Sequence, residues 1–217
     1  MTRNNNRILV QCDFDGTITD GDVSFQILDE FTGPGWRDKL NEYMQGKISV
    51  NRFNASVFSK VKADKKTLDS FVREKALIRP GLDDLLQACR ERDFRFVIVS
   101  NGMMFYIDAI LKMLNLNDME FVAARANFKP EGMEAWYEGP DGKPVEDGFK
   151  EAYTKAFLRQ GYRIVYVGNG TSDFPAARLC SHVFSIDNLT VSCKKAGVDH
   201  IPFTDLHGVA KGLRDLP

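Results

Sequence analysis

The sequence predicts an α/β protein with a helical insertion, and three observations support this class. Short apolar runs typical of buried strands end in polar, glycine-containing loops at three places along the chain. Helical periodicity follows each of these loops. A block over residues 24–75 shows helical periodicity without a clear strand, and it is far longer than one crossover connection requires.

The composition is that of an ordinary globular protein. Of 217 residues, 27% are charged and 43% are hydrophobic, and the formal net charge is −1. This balance gives no basic field for nucleic acid or an anionic membrane, and no apolar run is long enough to span a bilayer. The N-terminal residues carry no signal-peptide pattern, and the four cysteines lack metal-type spacing. We therefore expect a cytoplasmic protein without nucleic-acid or membrane partners, either a monomer or a homodimer.

The first predicted strand, over residues 7–12, ends in two carboxylates. Asp13 and Asp15 follow it one residue apart, and Gly16 then breaks the run. The carboxyl end of a strand is the ligand-binding edge of an open α/β sheet, and alternation along an extended chain points both side chains the same way. Two like charges this close require a nearby cation or a proton. Because Mg²⁺ prefers oxygen ligands, this loop is a candidate active site and a candidate magnesium site.

The second signal is a strand over residues 94–99 that ends in Ser100, Asn101 and Gly102. A helix is predicted directly after Gly102. The N–H groups and the dipole at such a helix N-terminus favour phosphate. This junction is therefore a candidate phosphate site.

The remaining chain is predicted to complete the sheet. A strand at residues 119–123 precedes a hairpin, and a helix then begins near Gly148 and carries Lys150. Lys143 and Lys155 compete with Lys150 as the functional lysine, and position in the chain favours Lys150. A buried strand at residues 163–167 ends in the loop from Gly168 to Asp173. Residues 182–186 are predicted as the last strand of the sheet and residues 206–213 as the closing helix.

These loops, in this order, resemble the four motifs of the haloacid dehalogenase (HAD) superfamily of phosphohydrolases. Within it, the sequence is most similar to the phosphoserine phosphatase-like subgroup. The resemblance implies a three-layer, Rossmann-like core with a parallel sheet, formed by residues 1–18 and 79–217. It also implies a helical C1 cap, formed by residues 19–78.

The resemblance also implies a chemistry. It assigns Asp13 as the nucleophile and Asp15 as the general acid and base of a Mg²⁺-dependent phosphomonoesterase. The implied substrate is a small-molecule phosphate ester of a methionine-salvage or phosphoserine-like kind. The implied phosphate ligands are Ser100, Asn101, Gly102 and Lys150, and the implied metal ligands are Asp13, Asp15, Asn169 and Asp173.

One position departs from the family pattern. The fourth motif normally starts with an aspartate where this sequence has Asn169. An amide oxygen can still ligate Mg²⁺, but one negative charge is lost. Two alternatives to a phosphatase stay open: a phosphotransferase or mutase on the same scaffold, and, because of Asn169, a catalytically weak binding protein with the same fold.

Overall fold

A computed structural model describes residues 7–217, so the predictions for residues 1–6 lie outside the described part. Within it, seven strands form one sheet in the order β4-β3-β2-β1-β5-β6-β7. The strands are β1 (Ile8–Cys12), β2 (Arg95–Met103), β3 (Phe121–Lys129), β4 (Gly132–Trp136), β5 (Arg163–Gly168), β6 (His182–Ser185) and β7 (Ile201–Pro202). Neighbouring strands are parallel except in the β3–β4 hairpin. The predicted α/β class with a parallel sheet is confirmed.

Ten α-helices alternate with these strands along the described part of the chain. They are α1 (Val23–Thr32), α2 (Trp36–Met44), α3 (Val50–Phe58), α4 (Lys65–Lys75), α5 (Leu82–Glu91), α6 (Met104–Met113), α7 (Phe149–Arg159), α8 (Phe174–Ala177), α9 (Asp187–Ala196) and α10 (Leu206–Arg214). α5 packs against α10 and β2, and α7 packs against β2 and β5. No helix within residues 7–217 has the length and apolarity needed to cross a bilayer.

The central strand β1 determines where the functional loops meet. Its five residues are all buried, as expected for an apolar run between two parallel neighbours. It pairs with β2 on one side and with β5 on the other. Parallel pairing brings the carboxyl ends of these strands to one edge of the sheet. The loops after β1, β2 and β5 therefore lie side by side.

Two sequence predictions about element ends are wrong. β2 continues to Met103, beyond the predicted end at residue 99, and α6 starts at Met104, so Ser100, Asn101 and Gly102 lie within the strand. A register shift between Val99 and Met103 accompanies this extension. β6 is also not the last strand, because β7 pairs with it and α9 lies between them. α9 was not predicted because its residues include weak helix formers. Burial of Leu189 and Cys193 stabilises this helix.

The predicted helical block consists of α1 to α4. At its base Thr19 and Ile78 form an isolated antiparallel bridge, and the Asp20 N–H donates to the Leu77 carbonyl at 2.7 Å. The entering and leaving chains are thus paired at residues 19 and 78. The block is not detached from the sheet, since α4 packs against α6 and α3 packs against β4. The division into a cap at 19–78 and a core stays a prediction.

Candidate active site

The loop after β1 is held in shape by its own backbone and by a buried arginine. Gly16 has φ +71°, a conformation that favours glycine. The Arg79 guanidinium, 8% exposed, donates to the carbonyl oxygens of Gly16 at 2.9 Å and Thr17 at 3.0 Å. Arg79 therefore fixes the loop that presents Asp13 and Asp15. In the sequence, residue 79 was only the first residue of the second core segment, so this role of Arg79 was missed.

Asp13 is buried and faces a cation. Its Oδ1 accepts the Phe14 N–H at 2.7 Å, and its Oδ2 lies 2.6 Å from Lys150 Nζ. Burial raises the pKa of Asp13 to about 7, and the nearby Asp173 charge adds to the rise while Lys150 opposes it. The first residue of the predicted pair is thus a desolvated carboxyl group in direct contact with a lysine.

Lys150 links Asp13 to Asp173. The lysine is 2% exposed, and its Nζ lies 2.6 Å from Asp173 Oδ1 as well. Burial disfavours the lysine charge, but the two carboxylates outweigh it and raise the pKa of Lys150. Lys155 instead pairs with Glu151 on the surface, and the Lys143 side chain is exposed. Lys150 is the member of the three that reaches the predicted site.

Asp173 has both oxygens occupied. Besides Lys150, Oδ1 accepts the Tyr166 hydroxyl at 2.7 Å. Oδ2 accepts the N–H groups of Asn169 at 3.0 Å and Gly170 at 2.7 Å. The residue is completely buried and is not among those that line the cavity described below. Its contacts hold the loop after β5 and orient Lys150, so its predicted part as a direct metal ligand stays untested.

Asp15 is held by neutral donors. The Val23 N–H, at the start of α1, donates to Oδ1 at 3.0 Å, and the Tyr106 hydroxyl donates to Oδ2. Burial raises the pKa of Asp15 to about 8, and the Asp22 charge adds to the rise, whereas both donors oppose it. A carboxyl group with this pKa can give and take a proton near neutrality. The sequence did not predict Tyr106, which lies in the first turn of α6.

Two side chains donate hydrogen bonds to the predicted phosphate loop. The Asn101 carbonyl accepts the Asn54 side-chain N–H at 2.8 Å and the Tyr137 hydroxyl at 2.6 Å. Asn54 belongs to α3, so the helical block contacts the phosphate loop directly. The Gly102 N–H donates to Ser100 Oγ at 3.0 Å. This leaves the Ser100 hydroxyl proton free to donate, while the Gly102 N–H already has a partner.

Asn169 lies against the loop after β1. Its Oδ1 accepts the Thr17 hydroxyl at 3.1 Å, and a Cβ added at Gly16 would overlap its amide nitrogen. Within residues 7–217 no group of three or more His, Cys, Asp or Glu side chains is arranged to hold a metal ion. The cavity edge instead combines carboxylate and amide oxygens from Asp13, Asp15 and Asn169. Mg²⁺ is commonly bound by one or two carboxylates together with substrate phosphate, so this donor set fits it.

A cavity of about 600 Å³ lies between the sheet edge and the helical block. Asp13, Asp15, Lys150 and Asn169 line its floor. The block contributes an apolar wall, formed by Phe25, Leu40, Tyr43, Met44, Val50 and Phe53. A second cavity of about 610 Å³ adjoins it, since Tyr43 and Lys150 line both. The predicted site residues thus lie at the base of a pocket that the helical block closes.

The comparisons with known proteins establish the class. A model of the haloacid dehalogenase-like hydrolase family matches residues 10–178. The chain belongs to this family, and the predicted membership is confirmed. Together with its named relatives, this makes the protein an enzyme of the HAD phosphatase type, a phosphoric monoester hydrolase.

Individual phosphatases are similar to the chain in sequence or in fold. The chain is 28% identical to the 2-hydroxy-3-keto-5-methylthiopentenyl-1-phosphate phosphatase of Bacillus velezensis, over 96% of this chain and 90% of that protein. It is similar in fold to phosphoserine phosphatase from T. onnurineus, with a TM-score of 0.72 at 19% identity, covering 100% of this chain and 99% of that chain. A phospho-aspartyl intermediate analogue of phosphoserine phosphatase gives a TM-score of 0.71 at 17% identity, covering 95% and 99%.

Proposed function

We propose that the protein is a Mg²⁺-dependent phosphomonoesterase that hydrolyses a small phosphorylated metabolite through an aspartyl-phosphate on Asp13. The single observation that carries this proposal is the buried contact of 2.6 Å between Asp13 and Lys150 at the floor of the cavity. The lysine lowers the pKa of Asp13 against the effect of burial, which favours the ionised form needed for attack, and it provides positive charge where phosphoryl oxygens arrive. The solved phospho-aspartyl analogue of phosphoserine phosphatase, which shares this fold, is consistent with such an intermediate.

The reaction has two steps. In the first, an Asp13 oxygen attacks phosphorus, the ester bond to the alcohol breaks, and Asp15 gives its proton to the departing oxygen. In the second, Asp15 takes a proton from water, which attacks phosphorus and releases phosphate, so that Asp13 is restored. The proton on Asp15 is thus returned by the end of the cycle.

The other residues bind the phosphoryl group. Its oxygens are proposed to contact the Ser100 hydroxyl, the loop at Asn101 and Gly102, and Lys150. Mg²⁺, held by Asp13, the Asp15 carbonyl and the Asn169 side chain, would supply charge neutralisation when bound. Asp173 is proposed to act on this site through Lys150, because its two oxygens already accept four donors.

We further propose that the substrate carries no carboxylate besides its phosphate, as in the methionine-salvage ester named for the relatives. The described residues lining the cavity include two cations, Arg79 and Lys150, and both are engaged with protein groups. The cap-side wall is apolar, and Asp20 and Asp22 add negative charge. Within this cavity a substrate carboxylate would have no free cation as a partner, which is costly, and Lys47 and Arg52 line only the adjoining cavity. A thioether chain would instead lie against apolar side chains.

A substrate panel tests this proposal. The panel compares the methylthiopentenyl ester, phosphoserine, a sugar phosphate and para-nitrophenyl phosphate by released phosphate with Mg²⁺ present. We expect kcat/KM for the thioether ester to exceed that for phosphoserine by at least about 100-fold, the scale of an unpaired buried charge. Preference for phosphoserine would contradict the substrate assignment. Transfer of phosphate to an added alcohol, with little free phosphate, would identify a phosphotransferase instead.

Asn169→Asp tests the metal site. Two unit charges about 4 Å apart interact by about 1 kcal/mol in bulk water and about 4 kcal/mol near a protein surface. Because Mg²⁺ carries two charges, we expect it to bind at least about tenfold more tightly. Titration calorimetry on the free proteins measures this, with and without a phosphate mimic. In the wild type the mimic should strengthen Mg²⁺ binding, since its oxygens replace the missing charge. Asn188→Asp, at an exposed position on the same cavity, is the matched control and should change affinity much less. Unchanged affinity in Asn169→Asp would remove Asn169 from the metal site.

A further inference from the structure

A chain of buried hydroxyl groups leads from Asp15 to the helical block. The Tyr106 hydroxyl donates to Asp15 Oδ2 and lies 2.7 Å from Ser24 Oγ. Tyr106 is completely buried, and Ser24, in the first turn of α1, lines the cavity at 5% exposure. Three elements that are distant in sequence thus converge on one carboxyl group: the loop after β1, the first turn of α6 and the first turn of α1.

Gly102 supplies a second, independent observation. A Cβ added at Gly102 would overlap both the Tyr106 hydroxyl and Asp15 Oδ2. The bare backbone at this position therefore makes room for the contact between Tyr106 and Asp15. The sequence assigned Gly102 to phosphate binding through its N–H, but that N–H donates to Ser100. The missing side chain explains the glycine better than the N–H does.

We propose that Tyr106 is a positioning residue that holds the Asp15 carboxyl group in the orientation needed to protonate the leaving oxygen. The proposal rests on the role of Asp15 given under the proposed function. Each carboxyl oxygen has two lone-pair directions. The Val23 N–H occupies one direction on Oδ1, and the Tyr106 hydroxyl occupies one on Oδ2. Two donors on two oxygens fix the plane of the group and leave the remaining directions for the substrate.

Ser24 completes the arrangement by fixing the tyrosine hydroxyl. A phenol oxygen can both donate and accept, so Tyr106 can donate to Asp15 while it accepts from Ser24. A hydroxyl with one buried partner could rotate, whereas one with two partners has a defined direction. Ser24 therefore acts on Asp15 through Tyr106, and the N-terminus of α1 orients Asp15 twice, through the Val23 N–H and through Ser24.

A purely structural role for Tyr106 makes a different prediction. Buried tyrosines commonly find a hydrogen-bond partner, and loss of the bond then lowers stability without regard to substrate. A positioning role concerns one step, proton donation to the leaving group. An alkyl phosphate needs this proton, whereas a nitrophenolate leaves with little help. The two roles are therefore separated by comparing leaving groups.

The experiment compares Tyr106→Phe with wild type on an alkyl phosphate and on para-nitrophenyl phosphate, with Mg²⁺ present. We expect the rate of aspartyl-phosphate formation from the alkyl ester, measured by rapid quench in single turnovers, to fall about 10- to 100-fold, the scale of one hydrogen bond to a charged group, while the substrate concentration for half-maximal rate changes little. The fall for the aryl ester should stay below about threefold. Tyr153→Phe is the matched control and should change neither rate, since Tyr153 lies on α7 and its hydroxyl donates to the Glu138 carbonyl, away from the site.

Ser24→Ala is a second test of the proposal, and it leaves the buried Tyr106 side chain unchanged. Alanine is a good helix former, so α1 should persist. The same leaving-group selectivity, with a smaller loss of about two- to fivefold for the alkyl ester, supports the chain of hydroxyls. Equal losses for both esters, or no loss, in Tyr106→Phe would overturn the proposal. Asp15→Asn is measured in the same first step. If neither Asp15→Asn nor Tyr106→Phe is selective for the leaving group, the role of Asp15 itself is refuted. If Asp15→Asn is selective and Tyr106→Phe is not, only the role of Tyr106 is refuted.

Discussion

The two carboxyl groups of the first loop are held by contrasting surroundings. Asp13 contacts the charged Lys150, which is itself fixed by Asp173, and all three belong to loops and helices of the sheet region. Asp15 is held by neutral donors, and one of them, the Val23 N–H, comes from the helical block. The proposed nucleophile is thus held by charged partners, whereas the proposed proton donor is held partly by the N-terminus of α1 in the helical block.

The largest effect is expected on the Asp13 side. Asp13→Asn cannot form an acyl-phosphate, so we expect turnover to fall by more than about 10⁴-fold, the scale seen when a nucleophile is removed. The fold should persist, which circular dichroism and thermal unfolding would show. Activity near that of the wild type, in protein free of contaminating phosphatase, would remove Asp13 from this role.

A smaller effect is expected on the Asp15 side. Asp15→Asn should slow turnover of alkyl phosphates about 10²- to 10⁴-fold, the contribution of general acid–base catalysis. Formation of the aspartyl-phosphate from an aryl phosphate should be much less affected, because its leaving group needs no proton. Rapid-quench measurement of the first step isolates this difference. An equal loss for alkyl and aryl esters in that step would contradict the contrast drawn between the two carboxyl groups.

The ion pairs of Lys150 with Asp13 and Asp173 should also contribute to the free energy of unfolding. Lys150→Met leaves Asp13 and Asp173 buried together without a cation, and breaking such a buried pair costs about 3–5 kcal/mol. Chemical denaturation at neutral pH measures the free energy of unfolding. Lys155→Met, on the same helix α7, removes an exposed ion pair and should cost no more than about 0.5 kcal/mol. Equal stability of the two variants would show that the Lys150 network does not hold the site.

Much of the fold and part of the site could be predicted from the sequence. The apolar runs that form β1, β2 and β5 and the polar residues at their ends are local features, so Asp13 and Asp15 were named from them and from the family resemblance. Lys150 was named from its position in the chain and from the resemblance. The ends of helices and strands could be predicted less well. The extension of β2 to Met103 depends on pairing with β3, and α9 depends on burial against neighbouring elements.

The residues that support the site could not be predicted in this way. Arg79, Tyr106 and Tyr137 act through contacts with residues that are 30 or more positions away in sequence. Nothing in the local pattern separates such a tyrosine from any other buried aromatic residue. One signal was present for Tyr106, since it falls one turn after a glycine-containing strand end, but only the fold shows which carboxyl group that turn faces.

The most direct test of the central claim is to locate the phosphoryl group during turnover. Asp15→Asn, incubated with para-nitrophenyl phosphate and Mg²⁺ and quenched in acid, should accumulate the intermediate because its hydrolysis needs the base. Peptide mass spectrometry should then find one phosphoryl group on Asp13, removable by hydroxylamine as an acyl-phosphate is, and absent when Asp13→Asn is added to the variant. Phosphorylation of another residue, or steady turnover of the wild type with no labelled Asp13 in rapid-quench samples, would contradict the account.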